Sequence, residues 1–268
     1  MGASSLSASR ALFALLAATL IAAVGLCATG RAEIVKSGDV IVAFHGDISP
    51  QKLPRTGTAP VAVQMGAKIK GTDPADPPVL ERIVLAINSH GVIQSKGLAT
   101  CPLSKLDSVS SAQAKRACEA ALVGHGNVTS RVTLPGQGAF ASNGQLLAFN
   151  GKYKGKAAIF AQVASGAPLP LTYVIVFEIS KTKGTFGTRL DATLPPIASE
   201  YGYISAFDMS LSRQYSAGGK KMSYASAGCP ALAGVNTASF SLARASYEFS
   251  GGRSLTQTLV RECKVRGK

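Results

Sequence analysis

Histidine is the scarcest ionisable side chain in this chain of 268 residues: His45, His90 and His125. Imidazole suits zinc or copper, so three histidines could share a metal if the fold brought them together. Their spacing does not require it. His45 ends a strand with Asp47 close behind, His90 stands in a turn, and His125 lies between Gly124 and Gly126. They are read as loop histidines, with no metal and no cofactor expected. A nucleophile elbow needs G-x-S-x-G, and Ser226 in YASAG lacks the first glycine. No catalytic residue is assigned. Gly136 to Ala141 spells G-x-G-x-x-A, but a hairpin turn and a strand are expected after it, where dinucleotide binding needs a helix. Asp73 and Asp76 have the short spacing that suits calcium, yet the prolines around them favour a plain turn.

The remaining candidates are basic. Lys152, Lys154 and Lys156 alternate, so on a strand they project from one face. Lys181 with Lys183, Lys220 with Lys221, and Arg261, Lys264, Arg266 and Lys268 form further clusters. Such lysines have two uses. On an edge strand they block edge-to-edge aggregation. On an open face they bind anions. The expected partners are an anionic cell-envelope polymer or lipid headgroups, with no specific nucleic acid. Tryptophan is absent, which weakens a sugar-stacking reading.

The start of the chain reads as an export signal over residues 1–32. Arg10 precedes an apolar run from Ala11 to Leu26, and the small residues Ala28, Gly30 and Ala32 follow. A retained membrane anchor and lipid attachment at Cys27 are the alternatives, and bulky Leu26 argues against the second. No later apolar run approaches a membrane span. Cleavage leaves 236 of the 268 residues. It also removes Arg10 and Arg31 from the 28 basic residues, leaving 26 against 14 acidic ones, a net +12. A surface of that sign attracts polyanions. Four cysteines remain: Cys101, Cys118, Cys229 and Cys263. An even count in an exported chain implies two disulfides. Of three connectivities, Cys101–Cys118 with Cys229–Cys263 is the simplest and is the one expected. There is no C-x-x-C to support zinc or thioredoxin-like chemistry.

The elements that must position these residues are short strands. In LTYVIVFEIS, Leu171, Tyr173, Ile175, Phe177 and Ile179 alternate with Thr172, Val174, Val176, Glu178 and Ser180. One face is wholly apolar, which describes a central strand of an antiparallel sheet. Similar runs recur from Val40 to Val265, broken by Gly and Pro turns. Asn143-Gly144 and Asn150-Gly151 are read as hairpin turns. A change of phase near Leu242–Arg244 predicts a bulge. The one convincing helix is Ala112 to Leu122, capped by Ser110-Ser111. These signals predict an all-β fold: an antiparallel β-sandwich, or a barrel as the alternative, with one short disulfide-tethered helix. Residues 33–268 are expected to form a single domain, with two halves meeting near 135–144 as the alternative.

The segment CPLSKL before the Cys118 helix, LLAFNG at 146–151, GTFGTRLDATLP at 184–195, LARASYEF at 242–249 and RECKVRG at 261–267 resemble a family of exported bacterial proteins of unknown function. The resemblance spans about residues 60–267. It implies export and a shared scaffold, and it transfers no catalytic residue. The expected function is therefore a non-enzymatic binding or structural module, secreted or in the cell envelope, that contacts anionic polymers through basic strands. A secreted hydrolase or metal-dependent enzyme is the alternative.

Overall fold

The computed structural model describes residues 32–72, 76–166 and 170–267. All but the last residue of the expected export signal lies outside the described residues, as do Asp73 and Lys268. The first strands are β1 (Glu33–Ser37), β2 (Val40–Ser49), β3 (Lys52–Leu53), β4 (Ala59–Pro60), β5 (Ala62–Gly71), β6 (Leu80–Asn88) and β7 (Gly91–Ile93). Helix α1 (Ser111–Cys118) then leads into β8 (Leu122–Val132), β9 (Phe140–Tyr153), β10 (Lys156–Ser165), β11 (Leu171–Lys181) and β12 (Phe186–Thr193). The chain ends with β13 (Gly202–Leu211), β14 (Gln214–Ala217), β15 (Lys220–Ser223), β16 (Ala225–Ala227), β17 (Thr237–Phe249) and β18 (Arg253–Val265).

Thirteen of these strands form one sheet, in the order β1-β2-β5-β13-β8-β9-β10-β11-β12-β6-β17-β18-β3. Every pairing is antiparallel except that of β18 with the two residues of β3. The fold is all-β, and its layers are opposite walls of one sheet that curls until its edges meet. The sheet is curled around alternating apolar residues. Val40, Val42, Phe44 and Ile48 of β2 point inward and are buried, as are Tyr173, Ile175 and Phe177 of β11. Each such side chain contributes about 1.5–3 kcal/mol on burial. The bulge expected near Leu242–Arg244 is present, with the β17–β18 register shifting between Ser241 and Ala243.

Strands β9 and β10 are apolar on both faces because both are covered. Leu146, Ala148, Ile159 and Ala161 join the inner core. Leu147, Phe149, Ala158 and Phe160 face outward and pack under α1 and its lead-in loop. A capping box at Ser110 and Gln113 starts that helix. Cys101–Cys118 ties the loop to it, with Cα atoms 5.5 Å apart. The buried Gln162 donates to Val109 O at 2.7 Å and fixes the insertion from below. Cys229–Cys263 is the second bond, so the pairing is the expected one. Their loops of 17 and 34 residues correspond to about 3–4 kcal/mol each in the chain-entropy picture. Among the described residues no helix is long and apolar enough to cross a membrane.

Two expected hairpin turns are not turns. Asn143-Gly144 and Asn150-Gly151 both lie inside the fourteen-residue strand β9. Tertiary contacts account for the second pair. Asn150 Nδ2 donates to Ala99 O at 2.8 Å, and Asn150 O accepts from Cys101 N at 2.9 Å. A Cβ on residue 151 would stand 2.3 Å from the Phe160 ring. Gly151 is there for that ring, not for a turn. The real turn is Lys154-Gly155, where both residues have positive φ and Tyr153 pairs with Lys156.

Replacing Gly151 by Ala is therefore expected to destabilise the protein by about 1–3 kcal/mol through overpacking. Urea unfolding would measure it. Combining the change with Phe160→Leu should cost less than the sum of the two single changes.

Candidate anion-binding site

The Lys154-Gly155 turn changes the reading of the lysine cluster. Lys152 is next to last in β9, Lys154 occupies the turn, and Lys156 opens β10. The three are therefore not on one face of one strand, as their alternation suggests. They crown a hairpin. That hairpin is also not at an edge. Strand β9 lies between β8 and β10, β10 lies between β9 and β11, and the sheet ends at β1 and β3. Edge protection does not explain these lysines.

The hairpin overlooks a groove of about 810 Å³ on the outer face. Its origin is a short pairing. Strand β11 is bonded to β12 only from Glu178↔Asp191 to Lys181↔Thr188. Beyond that the strands diverge, with Val174 and Val176 on one side and Thr193, Leu194, Pro195 and Pro196 on the other. Tyr153, Lys154 and Lys156 line the mouth, and Glu178 also faces the groove. Lys154 Nζ lies 5.1 Å from the centre of the Tyr153 ring. Among the described residues, no carboxylate stands within ion-pair distance of Lys152, Lys154 or Lys156.

Across the groove the charges are paired. Arg82 holds Asp191 through two bonds, Nε to Oδ1 at 2.8 Å and Nη2 to Oδ2 at 2.7 Å. Its third donor reaches Glu248 Oε1 at 3.0 Å. Arg189 adds a 2.7 Å bond to Asp191 Oδ2. The hydrogen bonds from Arg82 lower the Asp191 pKa below its ordinary value, partial burial opposes this, and the Arg189 bond adds to the lowering. The same contacts raise the Arg82 pKa. This network neutralises itself and leaves the lysines as the groove's unpaired cations.

Sheet topology assembles more than the groove. Antiparallel neighbours place the end of β9, the start of β10, the end of β11, the start of β12 and the end of β18 on one end of the curled sheet. Lys181 and Lys183 stand at the β11–β12 turn there, Lys264 and Arg266 at the end of β18, and Lys52 beside Lys264. The β14–β15 hairpin, with Lys220 and Lys221, leaves from the same end after β13. Arg261 belongs elsewhere: it donates to Gly46 O at 2.8 Å where the sheet edges meet. Four clusters scattered through the sequence thus share one end. Acidic residues of this end include Glu33, Asp47 and Glu262.

The histidines are not brought together. His45 Nε2 lies 2.6 Å from Asp208 Oδ1, so its partner is Asp208 and not Asp47. The two reach across β5 at Gly66, where a Cβ would stand 2.4 Å from Asp208 Oδ1. Gly66 is the signal that could have exposed this pair, and no local spacing marks it. His90 meets Asn88 Oδ1 at 3.2 Å, and His125 is exposed on β8. Among the described residues no three His, Cys, Asp or Glu side chains are placed to hold a metal. Ser226 lines a small apolar cavity with Val61, Leu211 and Leu242, with no histidine in its wall. The 136–141 segment runs from a turn into β9 and has no helix behind it.

Asp191 yields a test. Its folded pKa is depressed, so its ionised form stabilises the fold above the unfolded carboxylate pKa. That contribution is lost as pH falls through the folded value. Asp191→Asn should cost up to about 1 kcal/mol at pH 7, since the pair is about a third exposed. The difference from the parent protein should vanish in strong acid, as read by urea midpoints across the pH range. No family model, curated protein or solved structure matches this chain.

Proposed function

We propose that this protein is an exported, non-enzymatic β module that binds an anionic component of the cell envelope. One observation carries the reading: unpaired lysines from separate parts of the chain share one end of the sheet. Two further features support it. The disulfides are bonds of oxidising compartments. The first 32 residues have the basic start, apolar middle and small-residue exit of an export signal. The ligand would carry phosphate or carboxylate groups at a spacing that meets several lysines at once. Tyr153 and the Val174–Val176 floor would shape the groove around its backbone.

A second reading rests on His45–Asp208. A histidine oriented by a carboxylate can serve as a general base, and His45 retains a partly exposed ring. An esterase and phosphatase screen, with His45→Gln as control, tests that rival. Turnover abolished by His45→Gln would favour it.

For the binding reading, Lys152, Lys154 and Lys156 are replaced together by Gln. Lys68 and Lys70, exposed on β5 toward the opposite end, are replaced as the control. Affinity for soluble polyphosphate should fall at least about ten-fold in the triple variant and less than two-fold in the control. The salt slope should shrink in the triple variant alone. Equal losses from both would mean diffuse attraction by net charge.

A further inference from the structure

The segment joining β16 to β17, residues 228–236, also lies at the basic end. It carries Leu232 at 78% exposure and Val235 at 46%. Exposed aliphatic residues are ordinary on slack loops. This loop is not slack. Arg55 donates to three of its carbonyls: Ala231 O at 2.8 Å, Leu232 O, and Val235 O at 2.8 Å. Val235 N closes a turn onto Leu232 O at 3.1 Å. Cys229 is bonded to Cys263, and its N–H donates to Pro54 O at 2.9 Å. Val265 N donates to Asn236 O at 2.7 Å and closes the far side. A guanidinium, a disulfide and the end of β18 together hold two aliphatic side chains out in water.

The surroundings are cationic. Lys52 and Lys264 are register partners and are exposed, and exposed Arg266 follows within two residues. Glu262 is the acidic neighbour on the same strand. Strand β1 starts at this end too.

We infer that this end docks on an anionic lipid bilayer, with Leu232 and Val235 entering the interface and Lys52, Lys264 and Arg266 meeting headgroups. A dissolved polyanion uses the cations and has no use for a braced, exposed leucine. A bilayer surface takes both, because acyl chains lie just beneath charged headgroups. The inference rests on the basic end being the binding face, and it names the surface that face meets.

The chain has no tryptophan, so Leu232→Trp is a single clean reporter. In the processed protein with both disulfides intact, its emission should shift to the blue on phosphatidylglycerol vesicles and stay unchanged on phosphatidylcholine. Separately, Leu232→Ser with Val235→Ser, which leaves the charge unchanged, should lower co-sedimentation with phosphatidylglycerol vesicles about ten-fold or more. The same variant should bind soluble polyphosphate like the parent. A double variant that sediments like the parent, or a Leu232→Trp emission that vesicles do not move, would overturn the inference and leave the proposed function standing. Loss of vesicle binding accompanied by a dimer-to-monomer change would assign the patch to a second copy and also overturn it. Failure of the parent to bind either vesicles or polyphosphate would remove both readings.

Discussion

Closure of the sheet is the constraint on which the rest depends. Strand β18 lies against β1 and β2, but its bonds to them are made by side chains. Buried Gln257 donates to Val42 O at 2.8 Å, and Arg261 Nε donates to Gly46 O at 2.8 Å. Ser37 Oγ donates to Ser254 O at 3.3 Å, and Arg253 pairs with Asp39 at 2.9 Å. The chain then bridges the seam itself. After β2 it crosses as β3 and bonds the end of β18, with Lys264 N to Gln51 O at 2.9 Å and Arg266 N to Leu53 O at 2.8 Å. A sheet edge left open would expose its backbone and its inner apolar face together. Here side-chain amides and guanidinia substitute for the missing ladder, and the inner residues stay dry.

Closure also decides what the outside can offer. Once the core is inside, an outward apolar patch needs its own cover. On β9 and β10 the cover is α1 and its loop, tied by Cys101–Cys118. The cover stops at β11, where Val174 and Val176 pack beside it and line the groove. Groove and helix are thus two treatments of one apolar strip: the insertion buries most of it, and the diverging β11–β12 pair leaves the rest open.

Much of the scaffold was legible in the residues. Alternation in LTYVIVFEIS places Tyr173, Ile175 and Phe177 inside. The phase change near Leu242 reports a real bulge, Ser110 caps the helix, and the cysteines pair as the simplest connectivity. What failed was local turn chemistry where tertiary contacts outvote it. Asn150-Gly151 has the composition of a turn, but the Phe160 ring and the loop at Ala99 claim it for a strand. Lys154-Gly155 does the turning instead. The site was legible only as residue types. That Lys156, Lys183 and Lys264 share one end follows from strand order, and strand order is set by pairings across the whole chain. The His45–Asp208 pair spans 163 residues and escapes any local pattern for the same reason.

The gathered charge does not stabilise the fold. Like charges brought together on a surface repel by about 1 kcal/mol at 4 Å in water, and salt screens them beyond about 10 Å. Folding gains nothing from that proximity. Nor do the hairpin lysines guard an edge, since β9 and β10 are interior strands. Away from this end several cations are paired: Arg82 is held by Asp191 and Glu248, and Arg253 by Asp39. At this end Lys152, Lys154, Lys156, Lys183 and Lys264 have no ion-pair partner among the described residues. A surface that repels itself when free and is relieved when an anion arrives has the energetics of a binding face. The braced leucine at the same end adds a second chemistry to it, and the proposed bilayer, charged at its surface and oily beneath, is a partner that would meet both.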